Sequence, residues 1–263
     1  MVTHDVIYGI QKACYSESSK AGEYFIKESG VFFIVSGTME AFDGKDVQVY
    51  KKGDIVLFRK NALIRFEKYV QPDKVFEAIS IVLDDSLLQD FTCEYGYNVS
   101  NQLSKDTLFK VKKDELLMSY FATIKSYFVK DMTEELILLK KKELIHLLLR
   151  NDNSYQDVLF NFAAPGKIDL EAFMNSNYKF NVPLTQFAFL TGRSLATFKR
   201  DFEKVFHNSP SRWLKQKRLE EAYYLLKNKK MKVKEVYADV GFETLSHFSY
   251  SFKEYFGIPP SNL

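Results

Sequence analysis

The chain has 263 residues, 46% of them hydrophobic and 27% charged, with a formal net charge of +3. That length accommodates two ordinary domains with separate cores, and no run of about 18 apolar residues offers a membrane span. Two distant cysteines, Cys14 and Cys93, and four scattered histidines, His4, His146, His207 and His247, form neither a disulfide framework nor a metal-ligand spacing, so no metal and no cofactor is expected. Glycine-rich phosphate loops and the GxSxG nucleophile elbow are absent, which argues against an enzyme. The first residues lack the basic start and continuous apolar core of a secretory signal, which implies a cytoplasmic location.

From about Gly22 to Leu83, short aromatic and β-branched runs are separated by turn signals: GEYFIKE, VFFIVSG, TMEAFDGK, VQVYKKGD, IVLFRKN, LIRFEK and VFEAISIVL. Seven strands in so short a span predict a small β-barrel or sandwich. Around Phe32 both alternating sets, Phe32 and Ile34 against Val31, Phe33 and Val35, are apolar, as in a strand covered on both faces. Beyond Leu83 the period becomes helical. Leu117, Phe121, Ile124 and Phe128 share one stripe, and TEELILLKKKELIHLLLRN continues as a second helix. On it Leu136, Leu139, Leu144 and Leu147 read as one face. Leu138, Ile145 and Leu149 read as another, beyond Lys141 and Lys142, and are assigned to pairing with a second copy in a homodimer. Residues 1–150 therefore form one domain, the polar stretch closed by Pro165-Gly166 reads as a linker over 151–166, and 167–263 is helical throughout.

From Leu184 onward 14 Lys and Arg stand against 8 Asp and Glu, whereas the residues before it carry 23 against 26. A basic segment behind a mildly acidic body is the electrostatic footprint of a polyanion-binding domain. Shifted by 50 residues, the tail overlays on itself. Ala188, Leu190, Ser194, Phe198, Phe202, Phe206 and Pro210 align with Ala238, Val240, Thr244, Phe248, Phe252, Phe256 and Pro260, which is an internal duplication. Each copy reads as a short helix, a glycine-containing turn and a second helix capped by Ser194 or Thr244. Ala188 and Ala238 allow the paired helices to approach closely, giving a helix-turn-helix whose second helix is presented for a DNA major groove. Between the copies Ser209-Pro210 opens a long helix that holds the two at a fixed separation.

With these motifs in view, the segment from about Lys167 to Leu263 resembles the DNA-binding domain of the AraC/XylS family. The tandem arrangement and GFETLSHFSYSFKEYFGIPP are similar to that family's C-terminal signature. The N-terminal half is similar in architecture to the cupin-like β domains with paired helices that accompany it. The resemblance implies a sequence-specific transcriptional regulator, an activator, acting on double-stranded promoter DNA with RNA polymerase as a partner. It also implies that Ser194, Ala196, Thr197, Lys199 and Arg200 of the first copy face DNA, with Leu245, Ser246, His247, Ser249 and Tyr250 on the equivalent surface of the second, where Lys253 is a candidate for phosphate contact. Arg200 is the leading base reader, because its guanidinium donates two hydrogen bonds to guanine O6 and N7. Leu245 and Tyr250 replace long polar residues, so the second copy is expected mainly to grip the backbone. Arg193, Lys215, Lys217 and Arg218 are further candidates for phosphate contact. Control is expected through the N-terminal half, by a small-molecule effector among Phe25, Phe32, Phe58 and Phe76 or by a regulatory protein. A cupin-type metalloenzyme is disfavoured because no histidine lies between Val6 and Ile145.

Overall fold

Alternating apolar positions build the first part of the chain as two facing sheets. The computed structural model describes residues 2–7, 9–16, 18–70, 75–99, 106–128 and 133–263, which divide between two compact units, Met1–Ala163 and Ala164–Leu263. The first unit contains strands β1 (Val2–Ile7), β2 (Ile10–Tyr15), β3 (Ser19–Ile26), β4 (Ser29–Ser36), β5 (Thr38–Phe42), β6 (Val47–Lys51), β7 (Ile55–Phe58), β8 (Ala62–Tyr69), β9 (Phe76–Leu83) and β10 (Leu108–Val111). They pair antiparallel into a six-stranded sheet, β1-β2-β9-β4-β7-β10, and a four-stranded sheet, β3-β8-β5-β6. The seven strands read from the sequence correspond to β3 through β9. Strands β1, β2 and β10 extend one sheet beyond them.

Both faces of the larger sheet are covered. Val31, Ile55, Leu57, Ile79, Ile81 and Leu83 point to one side, where helices α1 (Asp85–Tyr95), α2 (Glu115–Tyr127) and α3 (Glu134–Asn151) complete a core. Phe33 of β4 stacks on Phe121 of α2 with ring centroids 4.5 Å apart. Ile34, Val56, Phe58, Phe76 and Ala78 point the other way, toward Met39, Ala41, Ile64 and Phe66 of the smaller sheet. The doubly apolar pattern of β4 thus reflects a strand between a helical layer and a second sheet.

Helix α3 corrects the expected dimer face. Its buried stripe is Ile137, Lys141, Leu144, Ile145, Leu148 and Leu149, the i, i+4, i+7, i+8, i+11 and i+12 positions of a helix packed on one side. Ile145 is fully buried and Leu149 is 6% exposed, so both belong to the core of their own subunit, whereas Leu138 is 44% exposed. A lysine in the middle of the stripe hides the pattern in the sequence. Lys141 is buried with its Nζ 3.8 Å from Asp84 Oδ2, and burial pushes its pKa down. The expected linker is corrected in the same way. Tyr155, Val158, Leu159 and Phe160, around the short helix α4 (Gln156–Leu159), are buried in the first unit's core.

The second unit is helical: α5 (Leu170–Asn177), α6 (Leu184–Leu190), α7 (Leu195–Phe206), α8 (Pro210–Lys229), α9 (Val233–Asp239) and α10 (Leu245–Phe256). Phe187, Phe198 and Phe202 are fully buried in its first half, and Val236, Phe248 and Phe252 in its second. No helix among the described residues is long and apolar enough to cross a membrane.

Candidate nucleic-acid interface and a cavity in the first unit

The turn between α6 and α7 is held by its own side chains. Thr191 is buried with its hydroxyl donating to the Phe187 and Ala188 carbonyls at 2.9 and 3.0 Å, and Gly192 follows at φ +66°, a region that favours glycine. A Cβ at Gly192 would stand 2.4 Å from the Gly166 carbonyl carbon. Ser194 then caps α7, its Oγ accepting from the Thr197 amide at 3.2 Å. The cap and the buried Phe198 and Phe202 orient the helix, so that Ser194, Ala196, Lys199 and Arg200 are exposed and Thr197 is half-buried.

The second copy repeats the cap and the buried phenylalanines, with its turn glycine one residue further from the cap. Gly241 turns at φ +88°, Thr244 caps α10 by accepting from the His247 amide at 3.3 Å, and Phe248, Ser251 and Phe252 are buried. Ser246, His247, Tyr250 and Lys253 are exposed, Tyr250 by 70%, while Leu245 and Ser249 are half-buried. Ala196, Lys199 and Arg200 thus stand exposed on α7 behind the Ser194 cap, and Ser246, His247, Tyr250 and Lys253 stand exposed on α10, whereas Leu245 packs against the phenylalanine core.

Three of the other basic candidates are engaged within the protein. The Arg193 side chain is 7% exposed, with Nε 3.1 Å from Asp201 Oδ2 and Nη1 donating to the Thr191 and Ile168 carbonyls. Arg218 donates to three backbone carbonyls. These two arginines are internal tethers, which corrects their reading as phosphate contacts. Lys215 pairs with Glu254 at 2.7 Å. Arg200 keeps its reach: its side chain is 66% exposed, with Nη2 3.6 Å from Asp201 Oδ1. The Asp201 carboxyl is held below the usual carboxylate range, first by Arg193, then by Lys167 and Arg200.

Residues 29–160 match the ExsA N-terminal regulatory domain, and residues 187–263 match a helix-turn-helix domain. The chain belongs to the AraC-type transcriptional regulators. It is 25% identical over 241 residues to the HTH-type transcriptional regulator ExsA of Pseudomonas aeruginosa, covering 89% of this chain and 85% of that protein. It is 37% identical over 92 residues to the virulence regulon transcriptional activator VirF of Yersinia enterocolitica, covering 35% of this chain and 34% of that one. A structure of an apo ToxT variant from Vibrio cholerae overlays with a TM-score of 0.48 at 16% identity, covering 97% of this chain and 96% of that one. In this AraC-type regulator the helical unit is the DNA-binding domain and the β-rich unit is the regulatory domain.

The regulatory domain contains a cavity of about 440 Å³ between its two sheets. Phe25, Phe32, Phe58 and Phe76, the aromatics singled out in the sequence, all line it, together with Met39, Phe66 and Ala78. Sequence reasoning missed the charged lining. Lys68 is part of it, its Nζ 2.8 Å from the Tyr15 hydroxyl and 3.9 Å from the centre of that ring. No carboxylate pairs with Lys68 among the described residues, and burial pushes its pKa down to about 8. Glu28 also lines it, with Oε2 buried and without a hydrogen-bond partner among the described residues, and its pKa is raised, first by burial and then by Asp85. The missed signal was period-two: Ile64, Phe66 and Lys68 occupy successive inward positions of β8, and the last is charged.

Proposed function

We propose that this regulator reads one promoter duplex with both α7 and α10, in adjacent major grooves, and that occupancy of the regulatory domain's cavity controls the reading. The carrying observation is the duplicated geometry: two capped helices that bury phenylalanines and aim polar faces outward. Lys199 and Arg200 give α7 a base-reading pair, with Ser194, Ala196 and Thr197 around them. In α10, Ser246, His247, Ser249, Tyr250 and Lys253 form a surface with one full charge, suited to gripping the backbone and packing against sugars, with Leu245 anchoring it to the core. As a promoter-binding regulator it acts in the cytoplasm with RNA polymerase as its partner on this reading, and the activator names of similar proteins support activation.

The cavity supports an effector with an apolar body and an anionic group, because an anion restores to the Lys68 ammonium the partner that burial denies it. A homodimer of the regulator uses the exposed Leu136, Leu138 and Leu139 at the start of α3, large apolar side chains that their own chain leaves uncovered. Leu138→Asp with Leu139→Asp converts such a dimer to a folded monomer in sedimentation. A wild type already monomeric at micromolar concentration excludes it.

Selection of bound duplexes from a random pool tests the DNA reading. Two enriched elements about one helical turn apart are expected. On the enriched duplex Arg200→Ala loses about 1 to 3 kcal/mol and relaxes discrimination at one or two positions. Equal loss on enriched and scrambled duplexes removes Arg200 from base reading.

A further inference from the structure

The two helix-turn-helix copies are joined in sequence by α8, whose 20 residues span about 30 Å. A helix alone leaves its far end free to swing. After Lys229 the chain turns through Lys230 at φ +53° and enters α9 by a short connection, so α8 fixes the distance to the second copy better than its orientation. The structure contains a second connection, made by an arginine in the middle of α8.

Arg218 donates from Nε to the Tyr178 carbonyl at 2.7 Å, from Nη2 to the Phe180 carbonyl at 2.7 Å and from Nη1 to the Gly241 carbonyl at 3.0 Å. Tyr178 and Phe180 lie on the segment that leads into α6 of the first copy, and Gly241 is the turn of the second. The two backbones touch directly at this point. A Cβ on Gly241 would stand 2.4 Å from the Lys179 carbonyl oxygen and 3.1 Å from the Arg218 guanidinium carbon. One turn further along α8, Glu221 receives the Lys179 ammonium at 2.8 Å, closing the joint from the other side. The planar guanidinium suits this position because its fixed fork directs donors to several acceptors at once.

We propose that Arg218 is the positioning residue that sets the register between the two recognition helices, so that the regulator measures the spacing of its two DNA elements as well as their sequences. The inference rests on the proposed reading of one duplex by both helices. Successive base pairs advance and rotate along the duplex, so a joint that holds the helices in one relation accepts one spacing. A loosened joint accepts several, at the cost of the high effective concentration that the first contact gives the second.

The test uses the full-length protein and the duplex enriched by selection. Companion duplexes have the spacer lengthened or shortened by one base pair, or the second element scrambled. The wild type is expected to bind the native spacing at least ~10-fold tighter than either altered spacing, as a rigid tether requires. Arg218→Met, which keeps the aliphatic stem and removes the donors, should bind the single-element duplex within ~2-fold of wild type while its spacing penalty shrinks to ~3-fold or less. Arg218→Lys, with one donor group in place of a fork, should fall between. Gly241→Ala perturbs the same joint with Arg218 intact and should flatten the spacing profile as well.

An unchanged spacing profile in folded Arg218→Met overturns the proposal. So does an equal loss on single-element and two-element duplexes, which would assign Arg218 to general support of the fold. If Arg218→Met does not fold, the Arg218→Lys and Gly241→Ala profiles decide: wild-type profiles in both overturn the proposal. A wild type with no preference for two elements over one rejects tandem reading itself, before any variant is considered.

Discussion

Phenylalanine is concentrated in both units, but the rings are arranged differently. In the DNA-binding domain Phe202 meets Phe198, Phe206 and Trp213 with centroids 5.6, 4.3 and 5.5 Å apart, and the cluster fixes the angle at which α7 leaves the core. In the regulatory domain Phe32 meets Phe58 at 4.5 Å and Phe66 at 5.2 Å, yet these rings surround a space of about 440 Å³. Aromatic content alone therefore does not separate a filled core from a lined chamber. The separating feature is the chamber's charged lining, Lys68 and Glu28, since a dry, filled core has no place for an ammonium that no carboxylate among the described residues pairs with.

The largest expected effect comes from the filled cluster. Phe252→Ala removes a fully buried ring and should cost about 3 to 5 kcal/mol, measured by urea unfolding. Phe202→Ala should cost the same, because the duplication places both rings in equivalent packing. Phe32→Ala is expected to cost less, about 2 kcal/mol, because its ring already borders empty space and loses fewer contacts. Equal costs for Phe32→Ala and Phe252→Ala would mean that the chamber is closed in solution, and the contrast between the two clusters would fail.

The sequence carried the repeated scaffold clearly because its buried and capping positions are repeated. Ser194 and Thr244 and the phenylalanines of α7 and α10 are constrained by capping and packing, so they survive duplication with their spacing, whereas the turn glycine has moved by one residue, Gly192 aligning with Phe242 and Gly241 with Thr191. The exposed positions are free to diverge, and Lys199 and Arg200 accordingly correspond to Ser249 and Tyr250. Long polar side chains that turn inward were not legible. Arg193 and Arg218 read as surface charge, since composition cannot distinguish a guanidinium facing a phosphate from one facing carbonyls of its own chain. Lys141 disguised the buried face of α3 for the same reason. Tyr155 to Phe160 read as linker because the apolar residues that enter the core are too few to show a period.

The smallest effect tests the charge in the chamber's lining. Lys68 has its folded pKa lowered to about 8 by burial, so the unfolded chain binds more protons between about pH 8 and the ordinary lysine value near 10.4. Stability should therefore rise with pH across that window. Lys68→Met, which keeps the bulk and removes the charge, should stabilise the unliganded protein at neutral pH by about 1 kcal/mol, and its advantage over wild type should shrink as pH rises above about 8. Binding should respond in the opposite sense. Anilinonaphthalene sulfonate, an apolar anion, is expected to bind wild type less tightly as pH rises through about 8 and to lose ~10-fold or more in Lys68→Met, the equivalent of about 1.4 kcal/mol. Neutral phenylnaphthylamine should bind both proteins alike. An anion whose affinity is the same in both proteins would leave the Lys68 ammonium without a role in ligand binding, and the chamber would then select by shape and apolar surface alone.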